Sequence, residues 1–418
     1  MPIIKNLKAK EILDSRGNPT VSVICELESG ASGEASVPSG VSTGEGEAYE
    51  LRDNDGTRYN GKGVLKAVEN VNTQISESLI GQELNQKTSD QALIDLDGTK
   101  NKKRLGANAI LAVSLAFARA CAREKKIQLY EHIANLYFKN GEARMYDLPQ
   151  PSFNTIEGGR HSESGLSFQE FMLLPTEFKT MKEKVVVEQK VMKALQDILL
   201  KDGEEVTMGD EGGLAPKLSS NENALEYLER AIVSAGYDTN QIKIGLDVAA
   251  TSFFENGQYF FENKIVSREK MISVYEDLCS RHNIISIEDG LEEKDFEGFS
   301  QITQRLGGKI NVVGDDLTVT NVGLIKKAIQ EKCINAVVIK PNQIGTLSET
   351  LEAIKLAKAN NIKIFVSHRG GETEDTFIAD LAVAVGADFI KAGGPTKKER
   401  ICKYERLIEI EQVLTIKI

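Results

Sequence analysis

The most regular hydrophobic pattern of the chain lies between residues 242 and 393, where six short apolar runs each end on a charged or polar side chain. Continuous runs rich in Val and Ile are typical of parallel strands that are buried on both faces. The ends of the runs are about 20 to 40 residues apart, which leaves room for a strand, a helix and two short loops in each unit. The pattern therefore predicts repeated β/α units. In chain order, the runs end at Asp247, Glu288, Asp315, Lys340, His368 and Lys391.

These six end residues are expected to meet, because in a β/α barrel the carboxyl ends of the strands face a shared pocket. Asp247, Glu288 and Asp315 would bring three carboxylates together, and oxygen ligands without His or Cys select Mg²⁺, Mn²⁺ or Ca²⁺ over zinc. Each acid alone could equally be a helix N-cap or an ion-pair partner. Three of them at consecutive strand ends favour a bound cation, magnesium first, since neighbouring like charges would otherwise raise each other's pKa.

Two lysines, Lys340 and Lys391, close later runs that are otherwise apolar. A lysine at a strand end is commonly a solvated residue at the rim. Beside a bound dication and a second ammonium, however, the pKa of such a lysine should fall from about 10.4 towards about 7 to 8, the range of a general base. Position and neighbours therefore suggest an amine that abstracts a proton.

The first part of the chain has a different pattern. Alternating residues up to about residue 30, interrupted by the turn cluster 14–19, predict a β-hairpin. From Lys62 onwards, apolar positions fall on one helical face, and two further helical stretches are predicted to about Ile133. These apolar positions are Val64, Leu65, Val68, Val71, Ile75 and Leu79. We expect an α+β region here.

The turn-prone stretch 139–150 predicts a domain boundary near residue 140. The chain is therefore predicted to consist of an N-terminal α+β domain, residues 1–140, and a second, C-terminal domain, residues 141–418. Within the first domain, the segment 37–47 (VPSGVSTGEGE) contains three glycines and three small hydroxyl residues, which disfavour regular structure. It could be a surface turn, or a mobile lid that closes over an active site.

Composition narrows the possible functions. The 418 residues are 41% hydrophobic and 27% charged, which allows a sizeable core. The net charge is −11 with scattered basic residues, which argues against a nucleic-acid partner. The five cysteines are far apart, which argues against disulfides and zinc and fits a reducing cytoplasm. The most apolar helix candidate, Ala107 to Ala122, carries Ser114 and Arg119 and is predicted to be a core helix, with no membrane span.

Two further glycine-containing segments carry candidate chemistry. The segment 207–216 (TMGDEGGLAP) places Asp210 and Glu211 before two glycines, which could hold an acid over a ligand or form a tight turn with solvated acids. The segment 153–171 offers His161, Gln169 and Glu170 on a loop. Of the other three histidines, His132 and His282 are predicted to lie in helical, exposed positions, and His368 is not.

Eight motifs, in order across nearly the whole chain, resemble the enolase (phosphopyruvate hydratase) family. They are EILDSRGNPTV, VPSGVSTG, GDEGGLAP, GLDVAA, SIED, GDDLTVTN, KPNQIGTL and SHRGGETEDTFIADLAVA. The resemblance implies an α/β fold with a C-terminal (β/α)₈ barrel, irregular in its first units, and an N-terminal α+β capping domain. It also implies a homodimer or higher oligomer and the reversible, Mg²⁺-dependent dehydration of 2-phosphoglycerate to phosphoenolpyruvate in glycolysis, a lyase reaction.

The resemblance also assigns roles to individual residues. Lys340 becomes the base that removes the carbon-bound proton, and Glu211, supported by Glu170, the acid that helps hydroxide leave. Two Mg²⁺ ions are expected, the second arriving with substrate. The metal ligands implied are Asp247, Glu288 and Asp315 for the first ion and the lid residue Ser42 for the second. The residues implied to contact or support the substrate are His161, Gln169, His368, Arg369, Gly370 and Lys391.

The chain departs from the family pattern near the expected substrate. Gly370 replaces a usual Ser, Gly290 a Pro and Glu157 an Asn, and Lys397 stands where Arg is common. These changes could weaken substrate binding, or mark an enolase-like relative that acts on a different phosphate- or phosphonate-bearing acid. A non-catalytic binding protein is a third interpretation, but such a protein has no reason to retain the base, the acid and the three carboxylates.

Overall fold

The computed structural model of the chain describes residues 1–40, 46–138, 146–159, 162 and 164–416. It begins with a three-stranded antiparallel sheet in the order β1-β2-β3. The strands are β1 (Ile4–Leu13), β2 (Pro19–Leu27) and β3 (Ser32–Ser36). The predicted hairpin is confirmed. The third strand was not predicted, since its sequence, SGEAS, lacks an apolar alternation.

Helices follow the sheet. A π-helical turn at Val71–Ile75 joins the first two helices into one run, so the predicted helix is confirmed, although Leu65 is 46% exposed and lies off the buried face. Three further helices follow, one more than predicted. The helices of this region are α1 (Leu65–Asn70), α2 (Ser76–Leu79), α3 (Gln86–Asp97), α4 (Ala107–Glu124) and α5 (Leu129–Tyr137).

Helix α4 is the core helix of this region, as its composition predicted. Most of its residues are buried, and β3 packs directly against it. Gly33 makes this approach possible, because a Cβ there would lie 2.3 Å from the carbonyl oxygen of Ala116. Among the described residues, no helix is both long and apolar enough to cross a membrane.

A closed barrel of eight strands forms the rest of the chain. Its strand order is β4-β5-β8-β12-β13-β14-β15-β16, and β16 pairs with β4 to close it. A hairpin of β6 and β7 extends the sheet beside β4, and β9 to β11 form a small separate sheet. These strands are β4 (Gln150–Glu157), β5 (Glu170–Pro175), β6 (Val206–Met208), β7 (Leu214–Pro216), β8 (Ile242–Asp247), β9 (Phe254–Glu255), β10 (Gln258–Phe261), β11 (Lys264–Val266), β12 (Ile284–Glu288), β13 (Asn311–Gly314), β14 (Ala336–Ile339), β15 (Lys363–Ser367) and β16 (Phe389–Lys391).

The barrel is irregular at its start, because β5 runs antiparallel to both of its neighbours, β4 and β8. From β8 onwards all pairings between barrel strands are parallel, and a helix lies between each barrel strand and the next. The predicted α/β barrel, irregular in its first units, and the six repeated units are therefore confirmed. The helices are α6 (Met181–Asp202), α7 (Asn221–Ser234), α8 (Arg268–Arg281), α9 (Phe296–Leu306), α10 (Val322–Gln330), α11 (Pro341–Ile344), α12 (Leu347–Ala359), α13 (Phe377–Ala384) and α14 (Lys398–Ile416).

The prediction of a loop over residues 153–171 is wrong for both ends of the segment. Residues 153–157 complete β4, and Glu170 is the first residue of β5. The sequence pattern did not predict β4, because several of its residues are polar although they are fully buried, among them Asn154, Thr155 and Glu157.

An apolar plug fills the inside of the barrel below the strand ends. It contains the stacked rings of Phe365 and Phe389, whose centroids are 4.2 Å apart. Side chains alternate along a strand, so the residues between those of the plug face the surrounding helices. Because the plug fills the barrel interior, the barrel is not a pore. The polar residues that could carry out chemistry lie at the carboxyl ends of the strands. Its members are Met172, Leu174, Val313, Ala336, Val338, Phe365 and Phe389.

Candidate active site

The strand ends meet at one cavity of about 190 Å³. Asp247, Glu288 and Lys391 are the last residues of β8, β12 and β16, and the other three predicted end residues directly follow β13, β14 and β15. Five of the six line the cavity, and Glu288 lies directly behind Lys391. The predicted residues that line the cavity are Gln169, Glu170, Glu211, Asp247, Asp315, Lys340, His368, Arg369, Gly370 and Lys391.

Lys391 is the centre of a buried charge cluster. Its Nζ lies 2.7 Å from Asp247 Oδ2, 2.9 Å from Glu288 Oε1 and 3.3 Å from Glu170 Oε2. Burial and the neighbouring Asp247 raise the pKa of Glu288 to about 8, and burial raises the pKa of Glu170 well above its ordinary value. Burial opposes the charge of Lys391, but the three acids outweigh it and raise the pKa of Lys391. The cluster therefore holds a fixed ammonium at the cavity.

Lys340 forms a buried ion pair with Asp315. Its backbone N–H donates to Thr320 Oγ1 over 2.9 Å, which fixes the residue after β14. Burial disfavours the charged form of Lys340, but Asp315 outweighs burial, and the pKa of Lys340 lies above its ordinary value. The predicted fall of this pKa stays a prediction for the Mg²⁺-bound site. That prediction assumed a dication that shares the charge of Asp315.

The donor set at the cavity fits a hard divalent cation. Asp247, Glu288 and Asp315 offer carboxylate oxygens from three neighbouring strands, without His or Cys, which suits Mg²⁺. Within the described residues, the three acids whose oxygens all lie within 4.8 Å of one another are Asp289, Asp315 and Asp316. Asp289 accepts hydrogen bonds from the backbone N–H groups of Asp315 (2.9 Å) and Asp316 (2.7 Å). It therefore holds the turn that presents Asp315.

Glu211 approaches the cavity from another side. It lies on the loop between β6 and β7, beside β4, three strands around the barrel from β14 and Lys340. His368 Nε2 is 3.2 Å from Glu211 Oε2, and Arg400 donates to His368 Nδ1 over 2.7 Å. A guanidinium only donates, so Nδ1 accepts and Nε2 carries the proton towards Glu211. Burial lowers the pKa of His368 to about 3, which keeps the imidazole neutral.

Arg369 links the barrel to the part of the chain that precedes it. Its guanidinium pairs with both carboxylate oxygens of Glu47, at 3.0 and 3.2 Å, and donates to Asn342 Oδ1 over 3.0 Å. Glu47 is the last residue of the predicted lid segment. Gly370 follows Arg369 in the chain, and its carbonyl oxygen accepts a hydrogen bond from Arg400 over 2.7 Å. A planar, paired guanidinium of this kind is also suited to bidentate contact with a phosphate.

Two predicted site residues, Ser42 and His161, lie outside the described residues, and their roles stay predictions. The central residues 41–45 of the predicted lid lie outside them too. The prediction for His132 and His282 is wrong. Their exposed fractions are 1% and 9%, because both pack into the protein interior from their helix and helix end.

The sequence pattern assigned no role in the site to four residues that support it. Gln343 donates to Asp315 Oδ1 over 3.2 Å, and Glu47 and Arg400 hold Arg369 and His368 as described. Glu157 accepts hydrogen bonds from the Glu211 loop. Gln343 lies in the motif KPNQIGTL, which offered a signal. Arg400 had none, since it reads as an ordinary charged residue of a helix.

Comparisons with known proteins agree with this geometry. The model of the family described as "Enolase, C-terminal TIM barrel domain" matches residues 145–417, and that of "Enolase, N-terminal domain" matches residues 4–133. A curated protein named enolase, from Campylobacter lari (strain RM2100), is 48% identical over 412 residues. The alignment covers 98% of this chain and 97% of that protein.

Proposed function

The chain belongs to the enolase family of carbon–oxygen lyases, and from that premise we propose that it interconverts 2-phosphoglycerate and phosphoenolpyruvate with the help of Mg²⁺. The observation that carries this proposal is the placement of Lys340 and Glu211. Both side chains line one cavity, and the elements that carry them lie well apart around the barrel. Lys391, which is held by neighbouring carboxylates, lies at the wall of the same cavity. An elimination needs a base and an acid in such an arrangement.

The difficult step is the removal of a proton next to a carboxylate, because the electron pair adds negative charge to oxygens that already carry one. Lys340 Nζ, in its neutral form, accepts this proton as the C–H bond breaks. Lys391 faces the charge that develops, and fixed positive charge stabilises it without reorganisation. Asp247, Glu288 and Asp315 would hold a Mg²⁺ ion, which would supply further positive charge to the same oxygens when bound.

The second step breaks the C–O bond and forms the C=C bond. Glu211 donates a proton to the departing hydroxide, which leaves as water, and His368 N–H holds the carboxyl of Glu211 in place. Glu170 lies beside Lys391, and its raised pKa suits a group that exchanges protons within this cluster. Arg369 is suited to bind the substrate phosphate.

The proposal includes the parts that the family resemblance implies. Ser42 binds a second Mg²⁺ from the lid segment 37–47, and His161 and Gln169 contact the substrate. The chain divides into a capping domain, residues 1–140, and a barrel domain, residues 141–418. It works in glycolysis as a cytoplasmic homodimer or higher oligomer, with a small phosphorylated carboxylate as its partner and neither nucleic acid nor membrane.

Purified protein with 2-phosphoglycerate and Mg²⁺ tests the proposal, with the ultraviolet absorbance of the enol product as the signal. We expect turnover that a chelator abolishes and that added Mg²⁺ restores. A folded protein that shows no Mg²⁺-dependent turnover would contradict the proposal. Circular dichroism of the same sample shows whether the protein is folded.

A second candidate function rests on Gly370, which lines the cavity where the family pattern has Ser. Loss of one hydroxyl donor to a charged phosphate costs about 1.5 to 3 kcal/mol, a weakening of roughly tenfold to a hundredfold. The chain could therefore favour another phosphate- or phosphonate-bearing acid. A substrate screen with the natural protein and Gly370→Ser tests this. If 2-phosphoglycerate is clearly the best substrate of the natural protein, the second candidate is wrong.

A further inference from the structure

The carboxylate of Glu157 is fully buried and points at the backbone of the loop that carries Glu211. Glu157 is the last residue of β4. Its Oε1 and Oε2 lie 3.0 and 3.1 Å from the backbone nitrogen of Glu211, and its Oε1 lies 2.7 Å from that of Gly213. Both backbone groups donate to this one carboxylate. The loop is therefore held on both sides of the residue that follows Glu211.

The loop is also shaped around this carboxylate. A Cβ at Gly209 would lie 2.2 Å from Glu157 Oε2, and a Cβ at Gly213 would lie 3.1 Å from Glu157 Cγ. Asn154, also on β4, donates to the Glu211 side chain over 3.4 Å. Strand β4 thus holds the backbone of the loop through Glu157 and the side chain of Glu211 through Asn154.

We propose that Glu157 is a positioning residue, whose carboxylate fixes the loop 209–213 and so aims Glu211 at the leaving hydroxyl. Asn, which the family pattern has here, is one methylene shorter, and one of its two terminal groups donates and does not accept. It cannot hold both loop N–H groups in the same way. This inference rests on the proposed function for the role of Glu211, but the fixing of the loop does not.

The test compares Glu157→Asn, Glu157→Gln and a control, Glu188→Gln, in the full-length protein. Glu188 is a buried carboxyl of the same barrel that accepts a hydrogen bond from Thr155 Oγ1 over 2.7 Å, and no hydrogen bond given for the described residues joins it to the Glu211 loop. Three quantities are measured: kcat and KM for 2-phosphoglycerate, exchange of its carbon-bound proton in D₂O, and amide hydrogen exchange of the loop peptides.

We expect Glu157→Asn to lower kcat about 10- to 100-fold, the effect of a displacement of about 1 Å at a reacting group, with KM within about twofold. Carbon-proton exchange should persist, because it needs Lys340 and not Glu211. Amide exchange at residues 209–213 should accelerate. Glu157→Gln, which keeps one acceptor, should lie between Glu157→Asn and the natural protein, and Glu188→Gln should keep kcat within about twofold.

Unchanged kcat and unchanged loop amide exchange in Glu157→Asn would overturn the inference. A parallel loss of carbon-proton exchange and turnover would also overturn it, since a general disturbance of the site would then explain the effect. If Glu157→Asn does not fold, natural kcat and loop exchange in Glu157→Gln decide against the inference. If the natural protein does not act on 2-phosphoglycerate, the proposed function fails, and the amide exchange still tests whether Glu157 fixes the loop.

Discussion

Glu188 is expected to make the stability of the protein depend on pH. It lies on α6 with an exposed fraction of 1%, and its only described partner in a hydrogen bond between side chains is the hydroxyl of Thr155. Burial raises the pKa of Glu188 from 4.5 to about 8. The folded protein therefore keeps this proton at pH values at which the unfolded chain has released it.

The sign and size of the effect follow from this difference. Where the unfolded chain binds fewer protons, the free energy of unfolding falls as pH rises. The contribution of Glu188 is complete below about pH 4.5 and is lost as pH rises towards about 8. At about 1.4 kcal/mol per pH unit, about 3 kcal/mol is lost by pH 7. Gln at this position stays neutral and can accept from Thr155.

Glu188→Gln should therefore be more stable than the natural protein by about 1 to 3 kcal/mol at pH 7, because the new amide N–H₂ must find acceptors and offsets part of the gain. The assay is urea unfolding of both proteins at pH values from 5 to 8, followed by circular dichroism. The difference between the two should be small at pH 5 and widen towards pH 8. A difference that stays constant, or a variant that is less stable at pH 8, would refute this reasoning.

Two further predictions concern the site. Arg400→Met should cost about 3 to 5 kcal/mol of stability and lower kcat, because it leaves buried acceptors on His368, Arg369 and Gly370 without their donor. Urea unfolding measures the loss of stability, and the turnover assay measures kcat. A variant with natural stability would contradict the burial of this network. Mg²⁺ at about 100 times its dissociation constant should stabilise the natural protein by about 2.7 kcal/mol. Asp315→Asn should lose most of this gain in a thermal shift assay. An equal Mg²⁺ response in both proteins would show that Asp315 is not a metal ligand.

The sequence predicted the barrel strands that carry most of the site, because strands buried on both faces leave continuous Val/Ile runs that end at their chemistry. It did not reveal β4, where buried polar residues such as Asn154 and Thr155 break the apolar run. Their burial is possible only because other elements supply partners, as Glu188 does for Thr155. Such partners are set by the packing of distant segments and leave no local pattern.

The electrostatics of the site were less predictable than its composition. Without a dication, the pairing of Lys340 with Asp315 raises the lysine pKa, and this pairing depends on side-chain geometry. Arg369 and Glu47 meet although 322 residues separate them in the chain. Periodicity placed the residues at one pocket, but which charge faces which could be known only from the fold.

The central claim is that the amine of Lys340 takes the carbon-bound proton, and exchange of this proton measures it most directly. The natural protein and Lys340→Ala are incubated with 2-phosphoglycerate and Mg²⁺ in D₂O, and deuterium at the carbon is followed by nuclear magnetic resonance. We predict exchange with the natural protein and none above background with the folded variant. Exchange at the natural rate with Lys340→Ala would contradict the account.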